Sequence, residues 1–288
     1  MENLSNIVTI KDICKRYGFE FSKSLGQNFL INPDVCPQIA HMGNLNENTG
    51  VIEIGTGFGV LTAELCKRAK KVVAVEIDSK LLPVLKETLA GYDNVKVINA
   101  DVLKVDLKEL IQEEFAGMDV CVCANLPYYI TSPIIMSLLE ERLPIKSITV
   151  MVQKEAAERI CAQMGTRACG AVTAAVRYYS EPQMLFDVAR DSFMPAPNVD
   201  SCVIRLDVRE KTAENIESEE HFFKLVKAAF SQRRKTLANP VSATFCVKKA
   251  DLIALLQKVS LKPTARAEEL SFEQFIALSN EMFLNGMK

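Results

Sequence analysis

Tryptophan is absent from the 288 residues, and histidine occurs only twice, at His41 and His221. Two histidines so far apart, and nine cysteines with no C-x-x-C pair among them, leave no metal-ligand spacing, so no metal site is expected. No window of 18 or more apolar residues exists, which excludes a spanning helix. The N-terminal stretch has no basic region followed by an apolar core, so it is not read as a secretory signal. The odd cysteine count, with several thiols in apolar runs, fits reduced packing residues of a cytoplasmic protein. Cys121 and Cys123 fall on one face of an expected strand. A net charge of only −2 excludes a uniformly basic coat protein. No internal repeat is evident. The apolar content of 49% is ample for a core and excludes a disordered chain.

Charge is unevenly spread. Residues 224–266 carry ten basic side chains against one acid, Asp251. Asymmetry of this kind points to a polyanion partner for that region.

Between 51 and 153 the chain alternates short β-branched runs with helix-length stretches. The runs are 51–54, 71–75, 95–98, 120–124 and 147–152, with helices expected near 59–69 and 79–89. Short apolar strands of this kind are buried on both faces, and the rhythm argues for an open, α/β, parallel sheet. Two further strands are expected at 184–189 and 201–206, joined by a loop stiffened by Pro195 and Pro197. The charged stretch 207–220 reads as a linker, and helical periodicity follows to the C-terminus.

Polar groups recur at the strand ends: Gly55, Glu76, Asp101 and Asn125. In open α/β sheets ligands sit outside the carboxyl ends of the strands. Glu53-Ile54-Gly55-Thr56-Gly57-Phe58-Gly59 would let backbone approach a ligand closely. Glu76, 21 residues after Gly55, is placed to accept hydrogen bonds from ribose hydroxyls. The third glycine is at 59, one residue short of the dinucleotide fingerprint, and no G-K-[ST] follows, which excludes a P-loop. An adenosine-containing cofactor is therefore favoured over a phosphate-only ligand. A nicotinamide-dependent oxidoreductase would need a catalytic proton donor, and none is found.

Asn125-Leu126-Pro127-Tyr128-Tyr129 at the fourth strand end is more specific. With the glycine-rich turn and the acids of the second and third strands, it resembles amino-group methyltransferases that use S-adenosyl-L-methionine. The exocyclic amine of adenine is a poor nucleophile because its lone pair is delocalised into the ring. The Asn125 side-chain oxygen and the Pro127 carbonyl could hold its hydrogens and localise that pair, while Tyr128 stacks on the base.

Three further motifs extend the resemblance over nearly the whole chain. They are Ser24-Leu25-Gly26-Gln27-Asn28-Phe29-Leu30, the segment 193–201 (FMPAPNVDS), and Phe230-Ser231-Gln232-Arg233-Arg234-Lys235-Thr236-Leu237. Together they resemble the ribosomal RNA adenine N6-dimethyltransferases, and within them the small-subunit branch. The resemblance implies a Rossmann-like class I methyltransferase domain over 1–208, with an N-terminal extension 1–23, and a small all-α domain over 209–288 that helps bind RNA. It implies dimethylation of two adjacent adenines in the 3′-terminal hairpin loop of 16S rRNA, in the small (30S) subunit or its precursor, with a role in ribosome biogenesis. Asn28, Leu30, Gly55, Gly57, Glu76, Asp101 and Asn125 would hold the cofactor. Asn125, Pro127, Tyr128 and Phe193 would form the reaction site, Phe193 stacking on the far face of the flipped adenine. Arg233, Arg234 and Lys235 would contact RNA phosphates, with Lys248, Lys249, Lys258, Lys262 and Arg266 extending the field. The chain departs from the family at Asn198 and Ala238, where basic residues are common. A resistance-type methyltransferase of 23S rRNA and an assembly factor of the same fold remain the alternatives. A monomer is expected.

Overall fold

A computed structural model of the chain describes residues 4–22, 25–212 and 215–288. Ser24, the first residue of one motif above, lies outside the described residues, as do parts of the 1–23 extension and of the 207–220 linker. The chain divides into two compact units, Met1–Ala157 with Glu181–Val208, and Glu158–Ser180 with Arg209–Lys288.

In the first unit the β-branched runs become strands: β1 Phe29–Leu30, β2 Thr49–Ile54, β3 Lys71–Glu76, β4 Val95–Asn99, β5 Asp119–Asn125, β6 Ser147–Gln153, β7 Ser180–Val188, β8 Phe193–Met194 and β9 Ser201–Val208. Seven of them form one sheet in the order β4-β3-β2-β5-β6-β9-β7. Pairing is parallel from β4 to β6, and β9 returns antiparallel on β6. β2 is buried along its whole length, which explains why its sequence does not alternate. The helices are α1 Ile7–Tyr17, α2 Val35–Met42, α3 Val60–Cys66, α4 Leu82–Thr88, α5 Leu107–Glu114, α6 Thr131–Glu140 and α7 Lys154–Cys161, of which the last runs on into the second unit.

Strand order reverses between β2 and β5. The chain steps outward from β2 through β3 to β4, then crosses to β5 and steps the other way. The crevice at that switch point, outside the carboxyl ends, is where such sheets bind ligands. The small ladder of β1 on β8 pairs Leu30 with Phe193 and Phe29 with Met194, joining two distant motifs. α1 buries Ile10 and Ile13 in an aromatic cluster with Phe19, Phe29 and Phe58. Asn6 caps its start through Val8 N–H at 2.8 Å, and Gly18 ends it in the left-handed region.

The second unit contains α8 Ala171–Tyr179, α9 Glu219–Phe230, α10 Ala238–Thr244, α11 Lys249–Lys258 and α12 Phe272–Leu284. The sequence reading kept everything up to 208 in the first domain, whereas residues 158–180 cluster with the C-terminal helices. The reason is packing. Tyr179 stacks on Phe223 at 5.6 Å between centroids, and the hydroxyls of Tyr178 and Tyr179 both donate to the Glu219 carboxylate. Among the described residues no helix is long and apolar enough to cross a membrane.

Candidate functional site

The turn after β2 is built on backbone geometry that side chains resist. Gly55 has φ +76°, and a Cβ there would meet nothing nearer than the Asn125 carbonyl at 3.9 Å, so its constraint is conformational. Gly57 has φ +55°, and a Cβ there would lie 3.0 Å from the Phe29 ring. That ring stacks on Phe58 with centroids 4.2 Å apart, so the aromatic cluster under the turn fixes its height. Ile54 on β2 sits beside Ala124 on β5, which brings Gly55 and Asn125 out side by side.

Glu76, at the end of β3, is buried. Its Oε2 accepts from Thr56 N–H and Thr56 Oγ1, both at 2.9 Å, and from Gly57 N–H at 3.3 Å. Its Oε1 accepts from Asp78 N–H at 2.8 Å. The carboxylate thus ties the glycine turn to β3. Gln27 from the N-terminal motif reaches Asp78 at 2.8 Å. Beside Glu76, Ile77 is 52% exposed and gives the cleft an apolar lining. The sequence reading passed over Ile77 because it looks like the tail of a strand.

Asn125 ends β5. Its Nδ2 donates to the Asn28 carbonyl at 3.4 Å, which leaves Oδ1 as an acceptor with no donor among the described residues. One correction to the expected chemistry follows from the next residues. The Pro127 carbonyl accepts from Ile130 N–H and from Thr131 Oγ1, both at 3.2 Å, so both its lone pairs are used to start α6. The Leu126 carbonyl accepts no bond from the described residues, while its N–H is fixed on Met151 O at 3.2 Å. The unbonded backbone acceptor beside Asn125 is therefore the Leu126 carbonyl rather than that of Pro127, which no side-chain pattern could signal.

Tyr128 shares a 2.8 Å hydrogen bond between its hydroxyl and Ser201 Oγ, which ties the NLPYY turn to the last residue of the FMPAPNVDS motif. Burial raises its phenol pKa, partly offset by the Ser201 bond, so the ring stays neutral. The cleft is walled by Asn28, Leu30, Gly55, Gly57, Glu76, Asn125, Pro127 and Tyr128, which brings together most of the residues expected from sequence. Two are not brought in. Phe193 is 3% exposed, packed with Leu30, Cys36 and Val203, and does not wall the cleft. Its ring would have to leave that cluster to stack on a base. Asp101 also stays outside the wall, its Oδ1 capping Leu103 N–H at 3.2 Å and its Oδ2 3.3 Å from Lys104 Nζ. Among the described residues no cluster of His, Cys, Asp or Glu is arranged to hold a metal.

Two residues before Gly55, Glu53 is fully buried, and neither carboxyl oxygen has a hydrogen-bond partner among the described residues. Desolvation pushes it up to about 8, with Thr62 opposing the rise and Glu76 adding to it. The folded state therefore keeps a proton that the unfolded chain releases near the ordinary value of 4.5. Its contribution to stability is full below that lower value. Stability is lost as pH rises through the window, by about 1.4 kcal/mol per pH unit, and levels off above the folded value. Glu53→Gln should remove this slope. Urea unfolding of both proteins from about pH 5 to about pH 9 should show the variant gaining on the natural chain toward the alkaline end. A difference independent of pH would mean that Glu53 is ionised throughout.

The basic region has its own geometry within the second unit. Residues 231–235 form the turn between α9 and α10, and Leu237 N–H donates to the Ala265 carbonyl at 2.8 Å, drawing Arg266 alongside. Arg167, Arg233, Arg234 and Arg266 line one cleft with Glu268. Arg233 is also exposed, but its guanidinium is committed to the protein: its Nη2 donates to the carbonyls of Arg167 at 2.7 Å and Cys169 at 3.1 Å, and lies 3.6 Å from Glu268. Arg234 and Arg266 are exposed. Arg167 was not singled out from sequence, because only the fold brings residue 167 to the turn. Lys258, counted in the basic field, pairs with Glu281 at 2.6 Å.

The family model for ribosomal RNA adenine dimethylase matches residues 18–283. The Ribosomal RNA small subunit methyltransferase A of Bacillus mycoides (strain KBAB4) is 48% identical over 291 aligned positions, covering all of both chains, and that of Bacillus anthracis (strain A0248) is equally similar. Among solved structures, a dimethyladenosine transferase from Plasmodium falciparum has a TM-score of 0.74 at 27% identity, covering 90% of this chain and 98% of that one. The 23S rRNA methyltransferase ErmE has a TM-score of 0.70 at 26% identity, covering 89% and 100%.

Proposed function

Because the chain belongs to the ribosomal RNA adenine dimethylase family, we propose that it transfers methyl groups from S-adenosyl-L-methionine to N6 of two adjacent adenines in the 3′-terminal hairpin loop of 16S rRNA. The substrate would be the small subunit or its precursor, which places the enzyme in ribosome biogenesis. The small-subunit assignment rests on identity: 48% over the full length, against 26% to the 23S rRNA enzyme.

The cleft fits the cofactor. Gly55 leaves open space for backbone to approach the methionine moiety, and Glu76 with Ile77 beside it offers a carboxylate for the ribose and an apolar wall for the purine. Asn28, Leu30 and Gly57 complete the wall; Asp101, expected from sequence to hold the adenine, is bonded to Leu103 N–H and Lys104 and would have to release them to reach it. Bound there, the cofactor supplies a methyl group already activated on a sulfonium, so no metal or covalent nucleophile is needed.

The observation that carries the reading is the pair of free acceptors at the end of β5, Asn125 Oδ1 and the Leu126 carbonyl. Two acceptors fixed before the substrate arrives can hold the amine hydrogens out of the ring plane and oppose delocalisation of the nitrogen lone pair. They also face the positive charge that develops on nitrogen during transfer. Tyr128, held by Ser201, supplies a ring for the flipped base. Arg234, Arg266 and Arg167, with Lys235 beside them, supply phosphate contacts that position RNA without reading sequence. Free thiols throughout the chain suit the cytoplasm, and we read the enzyme as a monomer.

The test is incubation with labelled cofactor of small subunits that lack these methylations and, separately, of protein-free 23S rRNA. Dimethyladenosine at two adjacent 16S positions is the expected result. Label confined to 23S rRNA would move the chain to the resistance branch. Cofactor binding without label in either would leave an assembly factor that has kept the fold.

A further inference from the structure

The NLPYY turn carries two tyrosines, and the structure treats them differently. Tyr128 is half-buried and anchored through its hydroxyl. Tyr129 is 58% exposed, and it is the only aromatic among the exposed large apolar side chains of the described residues. It does not wave freely from a loop. It lies in the single helical turn Tyr128–Ile130, which the bonds from Ile130 and Thr131 to the Pro127 carbonyl lock onto α6. One edge of its ring rests against Gly26: a Cβ at that glycine would be 3.2 Å from Tyr129 Cε1, 3.3 Å from Cδ1, and 3.6 Å from Pro127 Cβ. Gly26 and Pro127 both wall the cleft, so the ring stands on the outside of that wall with most of its surface in water.

One exposed ring needs no explanation by itself, but a ring held rigid at the rim of a base-binding cleft is a ready surface for a second base to stack on. Extruding a base from its neighbours also leaves an uncovered partner, the nucleotide next to the target. We propose that Tyr129 is a stacking platform for the purine adjacent to the adenine held by Tyr128, and so a specificity-determining residue for adjacent-purine substrates. This rests on the reading of the cleft as the methylation site. The chemistry fits the position. Stacking is tolerant of sequence but favours the larger rings of purines, and when one of two adjacent adenines enters the cleft, the other is available to the platform if it lies on that side of the target. Locking the ring before RNA arrives keeps the entropy cost of binding low.

The absence of tryptophan from the chain makes the test direct. Tyr129→Trp creates a sole tryptophan in the full-length protein. Its emission should be quenched by a hairpin oligoribonucleotide with two adjacent adenines in its loop, and quenched less when the position next to the target is abasic. In parallel, Tyr129→Phe and Tyr129→Ala are assayed on unmethylated small subunits. The phenylalanine variant should behave as the natural chain. The alanine variant should raise KM for the RNA roughly fivefold to a hundredfold, the range expected for losing one stacked base. Its kcat should stay within about twofold, and its dissociation constant for the cofactor should not change. A Tyr129→Ala variant with unchanged KM, or a tryptophan signal indifferent to the abasic substitution, overturns the proposal. So does a loss of cofactor affinity that parallels the loss of activity, since the ring would then only seal the cleft. Tyr128→Ala separates the two levels: if it leaves methylation intact, the reading of the cleft fails and the platform fails with it. If it abolishes methylation while Tyr129→Ala does nothing, only the platform is lost.

Discussion

Asn125→Ala should lower kcat for adenine methylation by at least about a hundredfold, the scale on which one preorganised polar contact to a reacting centre is felt, while cofactor binding weakens but stays measurable. The two readouts separate because the side chain does two things. Its Nδ2 holds the Asn28 carbonyl at 3.4 Å, a long bond whose loss loosens the N-terminal wall of the cleft only modestly. Its Oδ1 is an unoccupied acceptor, which in the proposed chemistry holds the amine during methylation rather than the cofactor during docking. Asn125→Asp keeps an acceptor and should retain more activity than the alanine variant. Single-turnover rates with labelled cofactor, set beside calorimetric cofactor affinity, decide the matter. A variant with natural kcat would remove Asn125 from the chemistry.

Reversing two charges in the second unit, Arg234→Glu with Arg266→Glu, should weaken binding to small-subunit RNA by well over tenfold at low salt. It should also flatten the dependence of log K on log salt by roughly 1.5, from about 0.7–0.9 for each phosphate contact removed. These two are the informative pair because both are exposed in the arginine-lined cleft. Arg233 is a poorer choice despite its place in the same motif. Its guanidinium is bonded to the carbonyls of Arg167 and Cys169, so replacing it would release the 167–169 segment and confuse loss of fold with loss of contact. Filter binding across a salt series reads both quantities. A weaker complex with an unchanged slope would place the phosphate contacts elsewhere.

The basic motif illustrates how far a sequence pattern reaches. Density of charge in 232–235 leads to the arginine-lined cleft of the second unit, since no other stretch concentrates arginine so tightly. It does not rank the arginines, because rank depends on which backbone carbonyls lie within reach. Carbonyls at 167 and 169 are more than sixty residues away in the chain. The boundary between the units behaves in the same way. The stretch 158–180 carries no composition shift that would mark it as part of the helical unit, and it belongs there through the two tyrosine hydroxyls on Glu219 and the rings on α9.

The sequence by itself determined the sheet, the position of the cleft and the family. Strands buried on both faces must be continuous and β-branched, and the groups that meet a ligand must stand at their carboxyl ends, so Gly55, Glu76 and Asn125 are legible from local pattern. Only the tertiary structure decided which of those groups are free. Pro127 offers a carbonyl in the sequence, but α6 consumes it and leaves the Leu126 carbonyl in its place. Phe193 offers a ring in the sequence, but the β1–β8 ladder folds it into the core. Tyr129 reads as the second half of a repeated residue, and the fold leaves it on a glycine with its ring in water. A pattern of residue types is local, whereas the saturation of a hydrogen bond or the covering of a ring depends on partners that only the folded chain supplies.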